Sequence, residues 1–204
     1  MPTLFNAKVS AYPSSVSKTT QAHQFSLQQS RTAGIRQKLV IRDKITTLKV
    51  YAVEQDMIWK PNTTVAAIVH QDGKFLMVEE DTADGLRINQ PAGHLEQGET
   101  LFDAVQRETL EETAYHFEPT ELLGIYHWQR PDRDITYLRF AFVGTLGEHG
   151  ADRALDTGII RALWMTRAEL AASQHLHRSP QVLRCVDDYL AGQRYPLALI
   201  HHLV

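Results

Sequence analysis

Residues 93–115 read GHLEQGETLFDAVQRETLEETAY, a segment that puts carboxylates where an ordinary helix carries its core face. The spacing predicts a helix over residues 100–116. At about 100° per residue, Glu108, Glu111 and Glu112 then fall within roughly 100° of one another, at i, i+3 and i+4. Leu101, Ala104 and Val105 lie on the same side. A solvated acidic helix would set its charges opposite the apolar stripe. Here the stripe itself turns acidic in its second half, as expected of a helix whose end faces a cleft. Carboxylates this close repel one another unless a cation sits among them, and a hard divalent ion that prefers oxygen ligands fits.

The same segment resembles the Nudix box, G-x5-E-x7-R-E-U-x-E-E-x-G-U, where U is a bulky apolar residue. Gly93, Glu99, Arg107, Glu108, Glu111 and Glu112 fall in register. There are two departures. Thr109 stands where an apolar residue is usual, and its buried hydroxyl needs a partner. Ala114 stands where glycine is usual, which suggests a helix end without positive φ. The resemblance covers about residues 63–172. It implies an α+β chain with the Nudix-type α/β/α sandwich around a mixed sheet, and Mg2+- or Mn2+-dependent hydrolysis of a diphosphate linked to another moiety. It implies Glu108, Glu111, Glu112 and the Gly93 carbonyl as metal ligands. Arg107 is expected to pair with a neighbouring carboxylate, and Glu99 to hold the loop or an outer water. Which glutamate takes the water's proton varies across the family. A non-catalytic ligand sensor on this fold is expected to have lost a box glutamate, and all are present here.

Composition suits one globular domain with some excess length: 204 residues, 43% hydrophobic and 22% charged. The net charge of −3 gives no nucleic-acid or membrane footprint, and no run is long and apolar enough to span a bilayer. A cytoplasmic monomer acting on a small-molecule pyrophosphate is the expectation. The single cysteine, Cys185, falls in an apolar helical pattern and reads as a packed thiol. Charge is uneven. Before Met57 there are eight Lys/Arg against three Asp/Glu; from Met57 onward there are thirteen against twenty-one. Residues 1–42 contain no Asp or Glu and show no sustained periodicity, which reads as disorder. Residues 44–53 have strand propensity. The first 56 residues therefore read as a dispensable leader, with a targeting segment or an accessory element as the other readings. The domain proper is residues 57–204.

Along that body, residues 63–70 form an apolar strand and Gln71-Asp72-Gly73 a hairpin turn into residues 74–80. Residues 87–90 are extended. Pro119 is expected to end the acidic helix. Strands follow at 122–129 and 136–146, a loop at 144–158 and a last strand at 160–165. Thr166 and Glu169 form a capping box, and Ser179 caps a helix that starts at Pro180 and stops at Gly192. Trp128 alternates with Tyr126 along a strand, facing either cleft or core. Arg139 interrupts an apolar strand as a phosphate contact or a paired structural arginine, and Arg87 is a further phosphate candidate. His175, His177, His201 and His202 lack metal-ligand spacing and read as surface residues. NQPAGHLE at 89–96, HW at 127–128, LRFAF at 138–142 and GQRYPL at 192–197 resemble bacterial phosphatases of the family, over about residues 57–199. These release orthophosphate from nucleoside di- and triphosphates, hydroxymethylpyrimidine pyrophosphate and thiamine pyrophosphate. A chain starting at Met57 is expected to keep the full-length melting temperature and activity; a large loss of either would show that the leader packs on the domain.

Overall fold

The computed structural model describes residues 37–41, 49–53, 59–132 and 134–203. The chain divides into two units, Met1–Trp59 and Lys60–Val204. In the first, β1 (Gln37–Ile41) pairs antiparallel with β2 (Lys49–Val53). The strand at β2 matches its propensity. β1 is a correction, because it lies in the stretch read as disordered: QKLVI is too short to show a period, and only its partner strand reveals it. The rest of that stretch lies outside the described residues.

The second unit begins with β3 (Asn62–Ile68), buried on both faces because it lies centrally. Val65, Ala67 and Val69 point to one side, Ala66 and Ile68 to the other. β4 (His70–Gln71) turns through Asp72 and Gly73, at φ 49° and 77°, into β5 (Lys74–Thr82). This is the two-residue hairpin that the Asp-Gly pair encodes. β6 (Gly85–Asn89) returns along β5, and β7 (Ala92–His94) pairs antiparallel with β3. Then come α1 (Leu101–Thr113), the long hairpin β8 (Tyr115–Arg130) and β9 (Ile135–His149), β10 (Ile159–Thr166), α2 (Arg167–Ala172) and α3 (Gln181–Leu190). One mixed sheet runs β7-β3-β9-β8, with β3 and β9 parallel. In the other, β5 pairs with β10, β4 and β6. Ala104 and Val105 of α1 pack on Val65, Ala67 and Phe142; Val182, Cys185 and Val186 of α3 pack on the opposite cluster with Ala66 and Ile68. The result is the expected α/β/α sandwich, an α+β fold. No helix among the described residues is long and apolar enough to cross a membrane.

Several local expectations are corrected. Helix α1 stops at Thr113, well before Pro119, which instead lies in edge strand β8 at a break in register. An edge tolerates a residue that cannot donate to a ladder. Ala114 does take positive φ, 59°, with its N–H on the Leu110 carbonyl and its own carbonyl accepting from Gly150. Strand β9 runs on to His149, shortening the following loop. The Thr166–Glu169 capping box forms, but Ser179 bonds Gln181 and leaves α3 without a side-chain cap. Cys185 is buried, its thiol pushed up to about 11 by burial. His175 and His201 are exposed as read. His177 and His202 are half-buried; His202 accepts from the Leu101 N–H and packs edge-on against Phe102.

An alanine in the left-handed region costs roughly 1–2 kcal/mol that glycine avoids. Ala114→Gly is therefore expected to raise the melting temperature by about 2–4 °C for each kcal/mol regained. A thermal melt checks this, and a lower value would mean that the buried methyl matters more than the backbone.

Candidate active site

The loop between β7 and α1 is held by one guanidinium. Arg107 Nε donates to Glu99 Oε1 at 2.6 Å and Nη2 to Glu99 Oε2 at 3.0 Å. Nη2 also reaches the His94 carbonyl at 3.0 Å. Nη1 donates to Glu108 Oε1 at 2.8 Å and Glu111 Oε2 at 3.1 Å. Five contacts match the five N–H donors of the side chain. Glu99 also accepts from the Glu96 N–H, so it holds the loop, one of the two roles expected of it. Gly93 pairs with Val65 on β3, and a side chain there would collide with the Glu108 carboxylate. Its neighbour Ala92 donates its N–H to Glu112 Oε2 at 2.8 Å. Strand β7 thus clamps the acidic half of α1. Thr109, fully buried, bonds the Val105 carbonyl at 2.7 Å, which supplies the partner its hydroxyl required.

Glu108 and Glu112 are each 9% exposed. Burial pushes the Glu108 carboxyl up, with Arg107 pulling it back. Burial pushes Glu112 well above the usual carboxylate range, against the Ala92 N–H that favours its charge; Glu108, Glu80 and Asp156 raise it further. Among the described residues no three acidic, imidazole or thiol groups already converge on a point that would enclose an ion. The donor chemistry nevertheless fits one. Glu108, Glu111 and Glu112 each spend one oxygen on Arg107 or Ala92 and keep the other without a hydrogen bond among the described residues. Hard anionic oxygens with a neighbouring carbonyl, and no soft ligand, suit Mg2+ or Mn2+.

From Gly93 a cavity of about 180 Å3 runs past His94 to Trp128, Tyr137 and Arg139. Trp128 stacks on Tyr137, with centroids 5.7 Å apart and planes 16° from parallel. Arg139 is 5% exposed; it donates to Gln90 Oε1 at 3.3 Å and Asn89 Oδ1 at 3.4 Å, and its Nε has no partner among the described residues. Burial lowers its proton affinity, and Cys185, Glu112 and Glu80 oppose this. The structure therefore gathers the six box residues, with Trp128 and Arg139 along the adjoining cleft. Arg87 does not line that cleft: it lines the adjoining cavity of about 830 Å3 and bonds the Leu86 carbonyl.

Sequence reasoning missed Glu80, Asp156 and Arg178. Glu80 lines the cleft, and burial raises its carboxyl against the pull of Arg178 and an Asn89 hydrogen bond. Its signal was a charge ending the apolar run KFLMVEE. Asp156 is brought up by its N–H bond to the Glu111 carbonyl, and nothing local marks it.

Residues 60–185 match the family model of the NUDIX domain. The chain belongs to the Nudix family. This Nudix chain is 40% identical over 143 residues to Phosphatase NudJ of Escherichia coli K12, covering 70% of its own length and 92% of that relative. A solved NUDIX hydrolase from Nitrosomonas europaea superposes with a TM-score of 0.68 at 50% identity, covering 70% of this chain and 97% of that one. A UDP-X diphosphatase structure, at 18% identity and a TM-score of 0.56, covers 71% of this chain and 70% of its own, and shares the fold. The Nudix chain is thus a hydrolase acting on phosphorus-containing anhydrides.

A carboxyl whose affinity for its proton is higher in the folded state favours folding only while protonated. That contribution is present below its ordinary value of 4.5 and lost as pH rises through the folded value. Without divalent ions, Glu112→Gln is therefore expected to melt above the wild type at pH 8. Each tenfold in proton affinity is about 1.4 kcal/mol, or several degrees. The gap should close near pH 4. A glutamine variant that melts lower at pH 8 would contradict the cost assigned to Glu112.

Proposed function

We propose that the protein is a Mg2+-dependent phosphatase (Mn2+ substituting) that removes orthophosphate from organic pyrophosphates. The substrates are nucleoside di- and triphosphates, hydroxymethylpyrimidine pyrophosphate and thiamine pyrophosphate. The observation that carries this reading is the box itself. Three acidic side chains of α1 keep uncommitted oxygens, Glu108 against Gly93 of β7, in a chain 40% identical to a NudJ phosphatase.

The contacts support the following roles. Glu108, Glu111, Glu112 and the Gly93 carbonyl would hold the ion, which when bound neutralises phosphate charge and acidifies an attacking water. Arg107 fixes the rotamers of Glu108 and Glu111, so their oxygens are oriented before substrate arrives. Ala92 does the same for Glu112. Glu99 reaches the site only through Arg107 and is a positioning residue. A box glutamate accepts the water's proton; burial raises Glu108 and Glu112, bringing them toward the range a general base needs. Arg139 supplies positive charge along the cleft floor, and the Trp128 face offers a stacking surface for a base or pyrimidine ring, worth about 1–3 kcal/mol. That contact is equal in ground and transition states, so it lowers KM and leaves kcat alone.

Incubation of the metal-loaded protein with these substrates, followed by identification of products, tests the proposal. Orthophosphate from both diphosphates and triphosphates is the expected outcome. Glu111→Gln should reduce kcat beyond the roughly 10–100-fold that loss of an outer partner costs. Monophosphate and pyrophosphate from a triphosphate would mean internal attack, and the enzyme would be a nucleoside triphosphate pyrophosphohydrolase instead.

A further inference from the structure

We propose that Arg178 binds the non-reacting phosphate of the substrate, at the neck between the catalytic cleft and the larger cavity beyond it. This assignment rests on the pyrophosphatase reading above and names the residue that makes a second phosphate recognisable.

Size sets the problem. The cleft that includes Gly93 holds about 180 Å3, less than the roughly 300–1,000 Å3 of sites that enclose a drug-sized ligand. A terminal phosphate at the box leaves no room there for a whole organic pyrophosphate. The adjoining cavity, of about 830 Å3, does have that room. The two share Trp128, Arg130, Arg178 and Ser179 along their walls. A substrate reaching from one to the other passes its bridging oxygen and second phosphate between these residues.

Availability then singles out one of them. Arg130 is tied to Asp84 and Asp132, Arg139 to Asn89 and Gln90, Arg184 to Asp188, and Arg87 to the Leu86 carbonyl. Arg178 is the one arginine on these walls whose side chain makes no hydrogen bond or ion pair among the described residues. Its backbone, by contrast, is strapped down. The Arg178 N–H donates to the Ile88 carbonyl at 3.0 Å, His177 bridges Ile88, and Ser179 is buried. An anchored main chain with an uncommitted planar fork is suited to phosphate.

The cleft floor points the same way. Arg139 Nε and the Thr64 hydroxyl are buried polar groups with no partner, and both residues line the cavity. Buried donors left unpaired are costly and call for a polar ligand. Glu80, on the same wall, would repel an anion, and Arg178 offsets its charge more than Arg139 or Arg87 does. With Arg178 removed, a second phosphate would meet a less compensated Glu80.

The test uses the full chain with Mg2+ and two ligands, orthophosphate and the non-hydrolysable α,β-methylene adenosine diphosphate. Binding is measured by calorimetry on wild type, Arg178→Met and Arg178→Lys. Arg178→Met should weaken the diphosphate analogue roughly 10- to 100-fold, the factor of one charge-assisted hydrogen bond. Orthophosphate should weaken by less than about twofold, with the melting temperature unchanged because no internal bond is lost. Arg178→Lys should recover part of the loss, and KM for diphosphates should rise with kcat kept. Unchanged binding of the analogue to Arg178→Met, in a protein whose wild type hydrolyses diphosphates, overturns this assignment alone. Equal weakening of both ligands also overturns it, placing Arg178 at the reacting phosphate. A wild type that neither binds the analogue nor turns over diphosphates overturns the pyrophosphatase reading, and this assignment with it.

Discussion

The guanidinium of Arg107 joins parts of the chain that would otherwise separate. It bridges Glu99 at the end of the loop, the carbonyl of His94 at the end of β7, and Glu108 and Glu111 on the helix. Each carboxylate it touches repels the next, and it donates charge-assisted hydrogen bonds to all three. The partly exposed setting keeps any single one of these pairs modest in energy. The network matters more for geometry: it fixes the angle at which the loop enters α1. The Gly93 backbone can then lie against Glu108, where a side chain would not fit.

Around this arginine the protein keeps groups in states that do not favour folding. Glu112 is a buried carboxyl with one N–H for company, Glu80 and Glu108 are partly desolvated, and Arg139 is enclosed with its Nε unpaired among the described residues. Buried charge of both signs along one cleft is poor material for a core. It is suited to a compartment that binds a polyanion together with a cation, because each newcomer meets groups already oriented and already stripped of water.

Much of this was legible in the sequence because it is local. Six box residues lie within one short strand, one loop and one helix, and helical periodicity alone puts Glu108, Glu111 and Glu112 on one face with Ala104 and Val105. Strand β3 announced itself as a continuous apolar run, and its first hairpin as Asp72-Gly73. What failed depended on distant partners. Ala114 adopts the left-handed conformation because Leu110 and Gly150 hold its backbone groups, and residue type gave the opposite indication. Pro119 reads locally as a helix stop, yet tertiary pairing has already begun a strand at Tyr115. Arg178 was invisible. Its place at the cleft comes from the bond to Ile88, ninety residues away in sequence, and a lone arginine before Ser-Pro carries no pattern.

The parallel pairing of β3 with β9 has a consequence for how the molecule is made. Asn62 meets Tyr137, and Ile68 meets Val143, so the central seam joins segments about 75 residues apart. Helix α1 and the hairpins β4–β5 and β8–β9 are local and can form in microseconds. The seam must wait for a long loop to close, and such non-local pairing slows folding. Until it closes, β3 lacks the parallel neighbour that covers its inner edge, although β7 can already pair along its other edge. The sheet behind the acidic helix is therefore completed only once this seam closes. A chain emerging from the ribosome would carry this apolar strand without its parallel partner for about 75 further residues of synthesis.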